Sequence, residues 1–181
     1  MTITIHSHQR SGTMFILNNL SNVLSIAGHN PGIHKSLLDG IDNEENFRIA
    51  VLRNPLDTVV STYIHTKHFR QELNTPFNPE HFNMVIDNYI RHMQALEEYS
   101  DDLTLYRFED LERVVADLAS KFAYMPTDYV FQPTQDQDNN PASVTTTRMY
   151  QSVLGSIPNH DIFSDANEIY NRLMQKALII V

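Results

Sequence analysis

A short polar stretch near the start of the chain, S-H-Q-R-S-G-T at residues 7–13, contains the residue types that bind an anion. Gly12 lets the backbone approach a ligand closely, and the planar guanidinium of Arg10 matches the oxygens of phosphate or sulfate. Ser11 and Thr13 add hydroxyl donors. We therefore expect residues 10–13 to bind an oxyanion; the alternative is an ordinary helix N-cap beside an exposed arginine.

A second segment carries an arginine at the end of a predicted strand. The run R-I-A-V-L-R at residues 48–53 is compact and apolar, and Asn54-Pro55 has the residue types of a helix cap and a first helical residue. Ser61 lies eight residues beyond Arg53. Arg53 is therefore a second candidate anion ligand; the alternative is that it caps the sheet edge or pairs with Asp57.

The elements around these segments alternate between strand and helix. Strands are expected at 2–6, 33–34, 48–53 and 103–108, helices at 14–26 (ending by Gly28), 56–70, 80–99, 111–122 and 164–180, and a long loop at 126–142. This order predicts an α/β fold with a mostly parallel sheet covered on both faces. Ligands of such folds bind beyond the C-terminal ends of the strands, where Arg10 and Arg53 are both expected.

Composition narrows the possible functions. The chain has 181 residues, enough for one domain, and a net charge of −9, which argues against general binding of nucleic acid. It has no cysteine, which excludes disulfides, thiolate metal sites and a cysteine nucleophile. No signal peptide or membrane-spanning run is apparent, so we expect a cytoplasmic protein without a membrane partner. There is no Walker A sequence with its Lys-Ser/Thr pair, which argues against a kinase.

Three segments together resemble the sulfotransferase family. The stretch at residues 7–15, S-H-Q-R-S-G-T-M-F, is similar to its 5′-phosphosulfate loop, P-[KR]-S-G-T-T. The stretch at 51–63, V-L-R-N-P-L-D-T-V-V-S-T-Y, resembles its 3′-phosphate motif, R-[ND]-P-x-D-x-x-x-S-x-x. The stretch at 105–112, L-Y-R-F-E-D-L-E, is similar to its later Y-E-D-L. Arg148 and Gly155 echo the C-terminal R-x-G cofactor loop.

This resemblance implies a shortened three-layer α/β/α fold of the P-loop NTPase-like kind, as one domain over residues 1–181. The donor-binding core would cover about 1–122, with a C-terminal helical and loop region at about 123–181. The donor would be 3′-phosphoadenosine 5′-phosphosulfate (PAPS), and no metal is needed. Carried over by position, the donor-binding residues would be Arg10, Ser11, Gly12, Thr13, Arg53, Ser61 and Arg148.

The resemblance also implies a catalytic pair. His34, nineteen residues before Arg53, would be the general base for a hydroxyl or amine acceptor, which could be a small molecule or a glycan. Arg10 would stabilise the departing phosphate, and Lys35 would stabilise the sulfuryl oxygens. Alternatively, His34 is a surface-loop histidine.

The chain departs from the family pattern at Gln9, where proline is usual, and at Met14, where a second threonine is usual. The region that shapes the acceptor site is compressed, so the acceptor does not follow from the sequence. The oligomeric state does not follow from the sequence either. Two other functions stay open. One is a metal-dependent hydrolase using His6 and His8, joined by His29 and His34. The other is a non-catalytic nucleotide-binding relic of the fold.

Overall fold

The structure, a computed structural model, describes residues 2–20, 26–29, 46–72, 74–122 and 144–178. Within these ranges the strands are β1 (Thr2–Ile5), β2 (Ile26–His29), β3 (Asn46–Leu52) and β4 (Thr104–Arg107). The α-helices are α1 (Thr13–Leu20), α2 (Pro55–Phe69), α3 (Pro79–Glu98), α4 (Leu111–Phe122), α5 (Val144–Ser156) and α6 (Ser164–Lys176). Short 3-10 segments occupy Ser100–Asp102, Phe108–Asp110 and His160–Phe163.

The four described strands form one parallel sheet in the order β2-β1-β3-β4. β1 and β3 are neighbours, with Ile3 opposite Phe47 and Ile5 opposite Ile49. The pairing extends one residue past β1, because the His6 N–H donates to the Ile49 carbonyl at 2.8 Å. The C-terminal ends of β1, β3 and β4 therefore lie at the same edge of the sheet.

Side chains alternate along the strands and build a core on each face. Ile49 and Val51 pack with β1, α1 and α4, whereas Ala50 and Leu52 pack with α2, α3, α5 and α6. Helices thus cover both faces of the sheet, which confirms the expected α/β fold with a parallel sheet. Each fully buried aliphatic side chain in these cores contributes about 1.5–3 kcal/mol.

Local sequence explains where the two central helices begin. The Asn54 side chain accepts hydrogen bonds from the first-turn N–H groups of α2, and Pro55 occupies the first helical position. Asn78 caps α3 in the same way, through the His81 N–H, with Pro79 at the first position. Both helices were expected within one residue of these bounds, because capping side chains and proline act locally.

The sequence pattern was wrong at two places. Residues 26–29 form strand β2 rather than the end of a helix, so Gly28 lies inside a strand; pairing with β1 outweighs the helical pattern. Helix α5 was not predicted, and its Val153 packs into the core beside α2. The expected strand at 33–34 and loop at 126–142 lie outside the described residues. No helix in the described ranges is long and apolar enough to cross a membrane.

Candidate anion-binding site at the strand ends

The loop between β1 and α1 has an unusual backbone. Arg10 has a φ of 66° and Gly12 a φ of 84°, both in the left-handed region. The Ser11 N–H donates to the His8 carbonyl at 3.2 Å, and the Ile16 N–H donates to the Gly12 carbonyl at 3.2 Å, where α1 begins. Left-handed residues in such a turn direct N–H groups into one concavity, and the start of a helix presents further N–H groups that need partners. This backbone suits an oxyanion.

Gly12 also has a packing role that the sequence analysis did not find. A Cβ atom at this position would lie 2.6 Å from Leu111 Cδ1, which is closer than side-chain carbons approach. Leu111 opens α4 and belongs to the third segment, at residues 105–112. The positive φ favours glycine here, and a larger residue would also have to displace the Leu111 side chain.

The first and second segments bond to each other in both directions. Arg10 Nε donates to Ser61 Oγ at 3.1 Å. Arg53 Nη1 donates to the Arg10 carbonyl at 2.7 Å. Within the described ranges, each arginine has further N–H donors of its fork that no hydrogen bond occupies, and these can bind a ligand. The structure therefore brings Arg10, Arg53 and Ser61 together, with Ser61 bonded to Arg10.

Arg53 has two further contacts besides its bond to the Arg10 carbonyl. Its guanidinium carbon lies 4.4 Å from the centre of the Phe108 ring, and its main-chain carbonyl accepts a hydrogen bond from Tyr89 Oη at 3.1 Å. Burial lowers the pKa of Arg53, and the nearby Asp57 carboxylate opposes this change. An arginine in this setting stays protonated at neutral pH, so Arg53 supplies a fixed positive charge.

The hydroxyl groups of the loop differ in their partners. Ser7 Oγ accepts a hydrogen bond from the Val51 N–H at 2.7 Å, so it joins the loop to β3. Thr13 is 4% exposed, and its Oγ1 has no hydrogen-bond partner within the part of the chain that the structure describes. A buried hydroxyl without a partner is costly, and Thr13 stands at the start of α1. It is therefore suited to bind a ligand.

Two buried histidines lie beside the loop. Burial lowers the pKa of His6 and of His8 to about 4, so both are neutral near pH 7. His8 Nδ1 lies 3.0 Å from the Gln9 carbonyl, and the His8 ring packs edge-on against Tyr89 at 5.2 Å. Among the described residues no group of three or more His, Cys, Asp or Glu is arranged to hold a metal ion. The His29 side chain lies outside the described residues.

The other predicted site residues are placed as follows. Both His34 and Lys35 fall outside the described ranges, so the general base stays a prediction. Arg148 lies exposed on α5, and no hydrogen bond in the described ranges connects it with Arg10 or Arg53. A Cβ at Gly155 would meet no atom within 4 Å, so nothing there requires a glycine.

Sequence reasoning missed four side chains that shape the site: Phe108, Leu111, Tyr89 and Tyr150. Phe108 and Leu111 lie inside the third segment. Because they follow the end of a strand, they could have been predicted to lie near Arg10 and Arg53. Tyr89 reads as one more apolar position of an amphipathic helix. Tyr150, which donates a hydrogen bond to Asp57, gave no signal, because the pair is 93 residues apart.

An open groove of about 710 Å³ lies away from this site, where α2 ends and α3 begins. Lys67, 5% exposed, donates from Nζ to the carbonyls of Thr75 at 2.6 Å and Pro76 at 3.1 Å. The ammonium of this groove therefore holds the loop between α2 and α3. The strand-end site has the better chemistry for a ligand, because its two arginines are held with spare donors.

Comparisons of the chain with protein-family models, with curated proteins and with solved structures found no match. The function is therefore argued from the residues and their geometry.

Proposed function

We propose that this chain is a sulfotransferase that uses PAPS as its donor. The observation that carries the proposal is a pair of hydrogen bonds, from Arg10 to Ser61 and from Arg53 to the Arg10 carbonyl, because they join the two segments that resemble the phosphosulfate and 3′-phosphate motifs. We further propose that the α/β fold is of the shortened, P-loop NTPase-like kind. A parallel sheet with the candidate ligands at its C-terminal edge supports this assignment.

The residues present suit the two ends of the donor. Arg10, Ser11, Gly12 and Thr13 would hold the 5′-phosphosulfate at the start of α1, where the helix dipole favours negative charge. Arg53 would hold the 3′-phosphate together with Ser61. The Thr13 hydroxyl, which has no partner among the described residues, supports a ligand at the loop rather than a plain helix cap.

The chemistry would be in-line displacement. The acceptor oxygen or nitrogen forms a bond to sulfur while the bond from sulfur to the 5′-phosphate oxygen breaks, and the acceptor proton passes to His34. Arg10 stabilises the negative charge that develops on the departing phosphate. The acceptor would be a hydroxyl or amine on a small molecule or glycan, and the nucleotide product is adenosine 3′,5′-bisphosphate.

A calorimetric titration with adenosine 3′,5′-bisphosphate, with and without EDTA, tests the donor site directly. Wild type is expected to bind at micromolar concentrations regardless of EDTA, and Arg53→Ala to lose that binding. Arg91→Ala is the matched control, because Arg91 is exposed on α3 and bonds within its own helix to Asn88 at 2.6 Å. Its affinity should equal that of wild type.

Turnover separates the enzyme from a non-catalytic relic. Wild type incubated with PAPS and a panel of hydroxyl and amine acceptors is expected to release the bisphosphate, and His34→Ala to slow release without weakening nucleotide binding. Binding without acceptor-dependent release would favour the relic. Absence of nucleotide binding by folded wild type would refute the donor site, and metal analysis of His6 and His8 would follow.

A further inference from the structure

A hydrogen bond outside the two arginines connects α5 to the candidate site. Tyr150 Oη donates to Asp57 Oδ1. Asp57 lies in the first turn of α2, four residues after Arg53, and its charge acts on the Arg53 guanidinium. Tyr150, which is 93 residues away in the chain, therefore binds the carboxylate that follows Arg53 most closely in the sequence.

An unrestrained Asp57 would compete with a bound anion. Two opposite charges four residues apart at a helix start can form an ion pair, and such a pair would occupy the donors of Arg53. Among the described residues, however, Asp57 and Arg53 form no ion pair within 4.0 Å, and the Asp57 carboxylate bonds to Tyr150 instead. The phenol thus leaves the Arg53 fork open toward a ligand.

The anchoring of α5 does not depend on this hydrogen bond. Val153 on α5 and Ile157, directly after its end, are each 7% exposed and pack into the core that α2 and α3 share. Removal of one phenolic hydroxyl should therefore leave the helix in place. We therefore expect the Tyr150 hydroxyl to affect the position of the Asp57 carboxylate rather than the stability of the fold.

We propose that Tyr150 is a positioning residue of the anion site: its hydroxyl holds the Asp57 carboxylate away from Arg53 and keeps that guanidinium available to the 3′-phosphate. The identity of the bound group depends on the proposed function above. The positioning role itself requires only that an anion binds at Arg53.

Calorimetric titration of four proteins with adenosine 3′,5′-bisphosphate tests this role: wild type, Tyr150→Phe, Asp57→Asn and the double variant. Tyr150→Phe is expected to raise Kd about fivefold, because Asp57 is free to pair with Arg53. Asp57→Asn should bind at least as tightly as wild type, since the competing charge is gone. The double variant should match Asp57→Asn, because without the carboxylate the hydroxyl has nothing to restrain.

Tyr106→Phe is the matched control. Tyr106 Oη donates to Asp117 Oδ2 at 2.6 Å, the same phenol–carboxylate pair in the core on the other face of the sheet. Its Kd should stay within about twofold of wild type, which corresponds to less than about 0.5 kcal/mol. Urea unfolding of each variant checks that the native fold is retained.

The outcomes separate this inference from the proposed function. If wild type binds through Arg53 and Tyr150→Phe binds equally well, the positioning role is wrong while the donor site stands. If the double variant is as weak as Tyr150→Phe, or Asp57→Asn alone loses affinity, competition by Asp57 is also refuted. If folded wild type binds no bisphosphate, and no inorganic sulfate either, both proposals fail.

Discussion

Arg53 Nη1 and the main-chain oxygen of Arg10 are 2.7 Å apart and hydrogen-bonded, although the two residues are 43 positions apart in the chain. The bond runs from the end of one strand to the turn after its neighbour. The Arg10 side chain in turn donates a hydrogen bond to Ser61 on α2, the helix that follows Arg53. These two hydrogen bonds connect the segments before a ligand binds. Such preorganisation reduces the entropy lost on binding.

Phe108 is expected to orient Arg53 through its ring face. We predict that Phe108→Leu raises the Kd for adenosine 3′,5′-bisphosphate about two- to fivefold, because a cation–π contact of about 0.5–1 kcal/mol is lost. Phe108→Tyr retains the ring face and should bind like wild type. Calorimetry measures both affinities, and equal weakening in the two variants would contradict the contact as the cause.

Gly12 should tolerate no side chain. We predict that Gly12→Ala lowers the free energy of unfolding by about 2 kcal/mol or more, because the new Cβ adopts a positive φ and meets Leu111. Gly155→Ala is the control, because open space surrounds it in a helix, and there alanine should stabilise by up to about 1 kcal/mol. Urea unfolding of the two variants should give opposite signs; a neutral Gly12→Ala would argue against this loop conformation.

Stability should fall in mild acid because of His6 and His8. Their pKa is about 4 in the folded protein, below the ordinary value of 6.5 that applies when the chain unfolds. The unfolded chain therefore takes up protons first as the pH drops. The stability that the neutral histidines contribute is fully present above pH 6.5 and is lost as the pH falls toward 4. The loss is on the order of 2–3 kcal/mol for each histidine.

Urea unfolding between pH 7 and pH 4.5 measures this dependence. His8→Gln should show a shallower loss of stability across the range than wild type. His160→Gln, at an exposed position, should follow the wild-type curve. Parallel curves for wild type and His8→Gln would contradict the burial of a neutral imidazole at residue 8.

Lys67 is expected to stabilise the connection between α2 and α3. We predict that Lys67→Met costs about 1–3 kcal/mol, since the Thr75 and Pro76 carbonyls lose a buried charged donor. Lys121→Met is the control, because Lys121 forms a partly exposed helix pair with Asp117 at 2.7 Å that is worth less than about 1 kcal/mol. Thermal unfolding and limited proteolysis near residue 73 would reveal the difference; equal losses would count against a special role for Lys67.

Much of the site was predictable from the sequence because its determinants are local. Asn54-Pro55 predicted the start of α2 through a cap and a fixed φ. The alternation of strand and helix predicted a parallel sheet, and a parallel sheet brings strand ends to one edge. Arg10 and Arg53 were therefore expected near each other without any knowledge of their contacts.

Tertiary structure alone decided the contacts that join distant segments. Residues 26–29 form a strand because they pair with β1. Local sequence preferences do not contain information about such a neighbouring strand. The Tyr150–Asp57 bond, the Phe108 ring beneath Arg53 and the approach of Leu111 to Gly12 likewise depend on how helices pack on the sheet. Residue type and spacing determine which groups can bind an anion. Packing across the folded chain determines which of those groups meet and which are left free to bind it.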